Sequence, residues 1–81
     1  MSLRDTLALN LRKARHLRGF SQEELAHLAE LDRTYISALE RSVYAASLDT
    51  LERLARALEV DPSELLRQPA VMKKGRRDRV R

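Results

Sequence analysis

Apolar residues recur every three or four positions along most of the chain, and the runs are broken by residues that start or stop helices. Leu3, Leu7, Leu11 and Ala14 predict a first helix over residues 3–18. Gly19 follows it as a left-handed cap. Ser21 and Glu24 form a capping box for a second helix, with Phe20 and Leu25 at the positions of a hydrophobic staple. Leu25, Ala26, Leu28 and Ala29 are expected to face the core. After a turn of about three residues, Asp32 is the N-cap of a third helix. That helix runs to Arg41 and buries Ile36 and Leu39. Residues 42–46 read as a loop. Ser47 opens a fourth helix with Leu48, Leu51, Leu54, Ala55 and Leu58 on one stripe. Asp61, Pro62 and Glu64 supply an N-cap, a proline at the first helical position and an acid at the third. They start a short fifth helix that ends near Arg67, and Gln68-Pro69 closes the domain. The reading is an all-α domain over residues 1–67 followed by a tail over residues 68–81.

The chain has 81 residues, enough for one small domain. Such a domain buries only about 60% of its unfolded surface, so its stability margin is thin. There is no cysteine, which excludes a disulfide framework and a thiolate metal site. The apolar stretches fall far short of the ~20 residues a membrane span needs. Met1 to Asp5 are not followed by the apolar segment of a signal peptide, so a cytoplasmic protein with no membrane partner is expected. His16 and His27 have no second ligand at metal spacing. No Ser-His-Asp order, phosphate-cradling glycine loop or catalytic carboxylate pair is present, so neither an enzyme nor a cofactor is expected. Ser21 serves as a cap and not as a nucleophile.

Charge is unevenly placed. The net charge is +4, yet residues 1–67 hold ten Lys/Arg against eleven Asp/Glu, a net of −1. Residues 68–81 hold six against one, a net of +5. The basic character belongs to the tail, which reads either as a solubilising end or as a source of non-specific phosphate contact. A near-neutral domain can still bind DNA if its cations share one face, because phosphate contacts are local.

The run from Ser21 to Arg41 places two capped helices around a short turn. It resembles the helix-turn-helix of the Cro/C1-type (Xre) family of bacterial and phage regulators. The resemblance covers residues 7–66 and rests on Leu11, Ala14, Arg15, Gly19, Phe20, Ser21, Gln22, Leu25, Ala26, Ile36, Leu39, Glu40 and Arg41. Leu48, Leu51, Leu54, Ala55, Leu58 and Leu65 continue it. The segment Leu31-Asp32-Arg33-Thr34-Tyr35-Ile36-Ser37 is similar to the recognition helix of restriction-modification controller proteins. The resemblance implies a compact five-helix, lambda-repressor-like DNA-binding domain with the motif at helices 2 and 3. It also implies an ion pair between Arg15 and Glu40, joining the first helix to the end of the third.

The third helix opens on Arg33, Thr34 and Tyr35, opposite its apolar side. An arginine there can set two parallel donors on guanine O6 and N7, worth ~1–3 kcal/mol of discrimination, or it can hold a phosphate. Thr34 offers a hydroxyl or a methyl. Tyr35 meets a phosphate or sugar edge, or packs beside the first helix. Ser37 and Ala38 follow on the same side, and Ser37 permits close backbone approach. Arg41 and Tyr44 complete the expected DNA-binding set. Gln22 begins the second helix with its amide free for a phosphate, which the backbone N–H groups there also attract. Glu23 and Glu24 suit that helix end and are expected to face away from DNA.

Two departures from the family pattern matter. The turn between the motif's helices has Glu30 where many members have glycine, so a left-handed Glu30 stores about 1–2 kcal/mol of strain. The loop Ser42-Val43-Tyr44-Ala45-Ala46-Ser47 has no cation and no proline, unlike the basic loop of many members. Its phosphate affinity is expected to be weak, or carried by the hydroxyls of Ser42, Tyr44 and Ser47 and by backbone N–H groups.

The expected function is a sequence-specific transcription regulator acting as a homodimer. A two-fold dimer sets two recognition helices about 34 Å apart and favours a palindromic operator. Val60, Leu65 and Leu66 are the candidate dimer surface. The partners are double-stranded operator DNA, a second copy of the chain and RNA polymerase. Within this reading, the resemblance favours a restriction-modification controller. The alternatives are an antitoxin-type autorepressor and a protein-interaction module that has lost DNA binding.

Overall fold

The computed structural model describes residues 2–68, which form five helices and no strand. They are α1 (Leu3–Leu17), α2 (Gln22–Ala29), α3 (Arg33–Glu40), α4 (Leu48–Leu58) and α5 (Pro62–Leu65). Each begins at a short polar side chain that accepts from a backbone N–H left open by helix geometry. The caps are Ser2, Ser21, Asp32, Ser47 and Asp61. At Ser21 the capping box closes both ways: the hydroxyl accepts from Glu24 N–H at 3.0 Å, and Glu24 accepts from Ser21 N–H at 2.8 Å. At Asp61 the Ser63 backbone N–H, then the Ser63 hydroxyl, hold the carboxyl below its ordinary value.

The C-termini of α1 to α4 share one geometry. In each, a residue with left-handed backbone turns the chain. Its own N–H and that of the next residue close back on the last helical carbonyls, a Schellman motif. The turning residues are Gly19 (φ 72°), Glu30 (φ 59°), Ser42 (φ 64°) and Glu59 (φ 59°). The long closing bonds run from Phe20 N to Arg15 O, Leu31 N to Ala26 O, Val43 N to Ala38 O and Val60 N to Ala55 O, at 2.8–3.1 Å. Only α1 uses glycine, whose missing Cβ makes this conformation free of clash.

One core joins all five helices. Leu7 and Leu11 of α1, Leu25, Ala26 and Ala29 of α2, and Ile36 and Leu39 of α3 belong to it. Leu51, Leu54, Ala55 and Leu58 of α4 and Leu65 of α5 complete it. A fully buried leucine or isoleucine contributes about 1.5–3 kcal/mol. Ala26 and Ala29 are the small residues that let α2 approach its neighbours. Arg15 of α1 and Glu40 of α3 are buried and paired, as the resemblance implied, with Nε to Oε2 at 2.6 Å.

Several expectations are corrected. Leu28 is 52% exposed, because it lies about 100° around α2 from the centre of the stripe formed by Leu25, Ala26 and Ala29. Leu48 is 80% exposed: it lies on the α4 stripe but at the first helical residue, a turn before the core begins at Leu51. Ala38 is buried on the inner side of α3 and is not beside Ser37 on the outer face. The α5 helix stops at Leu65, two residues early. There Asn10 of α1 donates its amide to the carbonyls of Leu65 and Arg67 at 3.0 and 2.8 Å, drawing the chain off the helical path. Leu65 is 1% exposed, so it belongs to this chain's own core and is unavailable to a dimer surface. Val60 and Leu66 pack half-buried against that core. The basic run over residues 72–81 lies outside the described residues.

Candidate nucleic-acid interface

Helix α3 is held from below and open above. Ile36 and Leu39 are fully buried, which fixes its depth and angle. Asp32 caps its start by accepting from Thr34 N–H at 3.0 Å. Arg33 and Thr34 stand exposed on the first turn, Tyr35 and Ser37 are half-buried, and Arg41 is exposed where the helix ends. A polar, cation-bearing N-terminal turn on a helix anchored by its opposite face fits the way such helices enter a major groove.

Glu40, at the other end of α3, ties three helices together. Its carboxylate accepts from Arg15 Nε and Nη2 of α1 and from Gln22 Nε2 of α2, at 2.6, 3.0 and 3.0 Å. Arg15 also donates from Nη1 to the Phe20 carbonyl at 2.9 Å, at the entry to α2. Arg12, one turn before Arg15, donates to the Glu40 carbonyl at 2.6 Å. Sequence reasoning did not single out Arg12. Its spacing of three from Arg15, on the same helix side, is the signal that would have found it.

The Gln22 amide, expected from the sequence to be free, is therefore engaged. One of its two N–H donors is spent on Glu40, which leaves the second for an anion. Beside it, the backbone N–H groups of Gln22 and Glu23 lie in the first turn of α2, where helices attract anions. The structure thus brings Gln22, Glu40 and Arg15 together and sets the first turn of α3 apart from them.

The loop after α3 turns sharply at Ser42. Its hydroxyl, and after it that of Ser2, holds the exposed Asp5 carboxylate below its ordinary value. Ser47 is engaged within the fold, capping α4 and bonding Thr50 Oγ1 at 3.1 Å. Tyr44 is exposed and lies against Tyr35, with ring centroids 6.3 Å apart.

A family profile described as Helix-turn-helix matches residues 11–65. The chain belongs to the helix-turn-helix family. It carries the DNA-binding module of Cro/C1-type regulators of transcription, with α2 and α3 as the two helices of the motif. A hypothetical transcription factor of Neisseria meningitidis serogroup B is 48% identical over 67 residues, 83% of this chain and 63% of that protein. The control protein C.SmaI of Serratia marcescens is 41% identical over 66 residues, 82% of this chain and 79% of that one. The crystal structure of the restriction-modification controller C.AhdI from Aeromonas hydrophila matches with a TM-score of 0.75 at 40% identity. That match covers 76% of this chain and 94% of the other. This helix-turn-helix chain is therefore similar to controller proteins over most of its described length. Among the described residues no helix is long and apolar enough to cross a membrane, and no acid or histidine cluster has the arrangement of a metal site.

Proposed function

We propose that this chain is a sequence-specific regulator of the restriction-modification controller type, binding a palindromic operator as a homodimer. The observation that carries the reading is α3: its inner face is buried, its ends are capped and tied, and Arg33 and Thr34 stand exposed on its first turn. Arg33 is the proposed base reader. Gln22 and the α2 N-terminus are the proposed phosphate clamp, with Arg41 adding charge at the far end of α3. A lone α3 spans only a few base pairs, so useful affinity needs two copies with helices in successive major grooves. The likeness to C.SmaI and C.AhdI supports the controller class. Val60 and Leu66 remain as the proposed dimer residues now that Leu65 lies in the core, and RNA polymerase is the proposed partner in activation.

The test is selection of bound sequences from a random duplex pool, with wild type and with Arg33→Ala. The expected result is an enriched palindrome in wild type that loses its guanine preference in the variant. Losing one bidentate arginine contact costs ~1–3 kcal/mol, about 5- to 150-fold in preference. An unchanged palindrome from Arg33→Ala would remove Arg33 from base reading. No enrichment at moderate salt would turn the assignment to a protein-interaction module.

A further inference from the structure

The α3–α4 loop presents a ring where a cation would be ordinary. From Ser42 to Ser47 it carries no charge, and the Ser47 hydroxyl is engaged within the fold. Its largest polar side chain is Tyr44. The Schellman closure of α3, with Val43 N–H on the Ala38 carbonyl at 2.9 Å, reverses the chain immediately before it. The Tyr44 ring is thereby set against Tyr35, at 6.3 Å between centroids and 42° between planes. That separation lies within the range where aromatic pairs attract. Tyr35 packs against the core cluster on one side and meets Tyr44 on another. Tyr44 itself is 57% exposed, so core stability does not account for its position.

We propose that Tyr44 is a positioning residue that fixes the Tyr35 side chain on the recognition helix, so that this loop contributes sequence selectivity in place of phosphate grip. The inference rests on the proposed DNA reading by α3. Tyr35 is only half-buried, so without a brace its ring keeps part of its rotamer freedom and must lose it on meeting the duplex edge. The ring of Tyr44 removes much of that cost before DNA arrives. It acts through its aromatic face and not its hydroxyl, so phenylalanine replaces it and alanine does not.

The experiment measures the affinities of wild type, Tyr44→Phe, Tyr44→Ala, Tyr35→Ala and the Tyr35→Ala/Tyr44→Ala double variant. Two duplexes are used at one salt concentration: the sequence that wild type enriches from a random pool, and a random duplex. Tyr44→Phe is expected to keep the ratio of the two affinities within about twofold of wild type. Tyr44→Ala is expected to lower that ratio about 2- to 10-fold, the worth of an aromatic pair, through the enriched sequence alone. The double variant is expected to fall no further than Tyr35→Ala, because the brace has nothing left to hold.

Equal weakening of both duplexes by Tyr44→Ala would make Tyr44 a phosphate contact and overturn the proposal. So would a Tyr44→Phe as poor as Tyr44→Ala, or single losses that simply add. If Tyr44→Ala does not fold, Tyr44→Leu serves instead: a reduced ratio supports the brace and an unchanged ratio overturns it. A wild type that enriches no sequence fails earlier, overturning the DNA reading and this inference with it. An operator found by wild type isolates the role of Tyr44.

Discussion

Glu40 sits among three donors, two on Arg15 and one on Gln22, and its side chain is 3% exposed. A buried carboxylate stripped of its guanidinium stays in the interior without compensation, which costs ~3–5 kcal/mol. For a chain of this size, Arg15→Ala is expected to lower the melting temperature by more than about 10 °C, read by thermal unfolding. A melting point within a degree of wild type would show that the pair contributes nothing to the fold. The damage should also reach DNA binding, because the same carboxylate orients Gln22 at the proposed phosphate site. The ion pair was legible only through resemblance to a family, since nothing in the linear pattern joins residue 15 to residue 40. The tie from Gln22 was not legible at all. A glutamine on a first helical turn looks like a free amide until a carboxylate from another helix is brought within 3.0 Å of it.

At the scale of the element, helix starts were easier to read than helix ends. A start is announced by a serine or aspartate whose side chain makes the capping bond, and Ser21, Asp32, Ser47 and Asp61 all do so. An end is made by backbone shape, which a sequence reveals only when glycine marks it. Gly19 was read from its type and Glu30 from its place in the motif, while Ser42 and Glu59 carry the same left-handed turn unannounced. Periodicity also failed where it depends on the partner's extent: Leu48 keeps the α4 stripe but overhangs the core, and α5 stops where Asn10 takes its carbonyls. The strain at Glu30 has a direct consequence. Glu30→Gly relieves the Cβ clash, worth ~1–2 kcal/mol, against a larger unfolded-state entropy of ~0.4–1 kcal/mol. The net gain is expected to raise the melting temperature by a few degrees, since about 1 kcal/mol corresponds to about 4–8 °C here. The bond from Arg53 Nη1 to the Glu30 carbonyl uses backbone and survives the change. Glu59→Gly is the weaker candidate, because it also removes the exposed contact of Glu59 with Arg18 at 3.1 Å. A clear loss of stability in Glu30→Gly would show that the glutamate side chain itself holds the turn.

For the whole molecule, the question is how a nearly neutral body binds a polyanion. Residues 1–67 carry a net charge of −1, and the proposed contact face draws on few cations, chiefly Arg33 and Arg41. Residues 68–81 carry six cations against one acid. Non-specific affinity follows the number of phosphates neutralised, and base preference follows the groups that reach base edges. The two properties should therefore separate along the chain. Replacing the six Lys/Arg of residues 68–81 by glutamine is expected to weaken binding to a random duplex by more than about tenfold at low salt, and to flatten its salt dependence. The sequence enriched from a random pool should stay the same, because Arg33 and the first turn of α3 are untouched. A changed sequence preference would mean that the C-terminal segment itself meets base edges. An unchanged salt slope would mean that the body finds all its phosphate contacts through Gln22, the α2 N-terminus and the cations of α3. The expected separation lets one fold keep a small reading surface while general attraction to DNA is supplied by the six cations of residues 68–81.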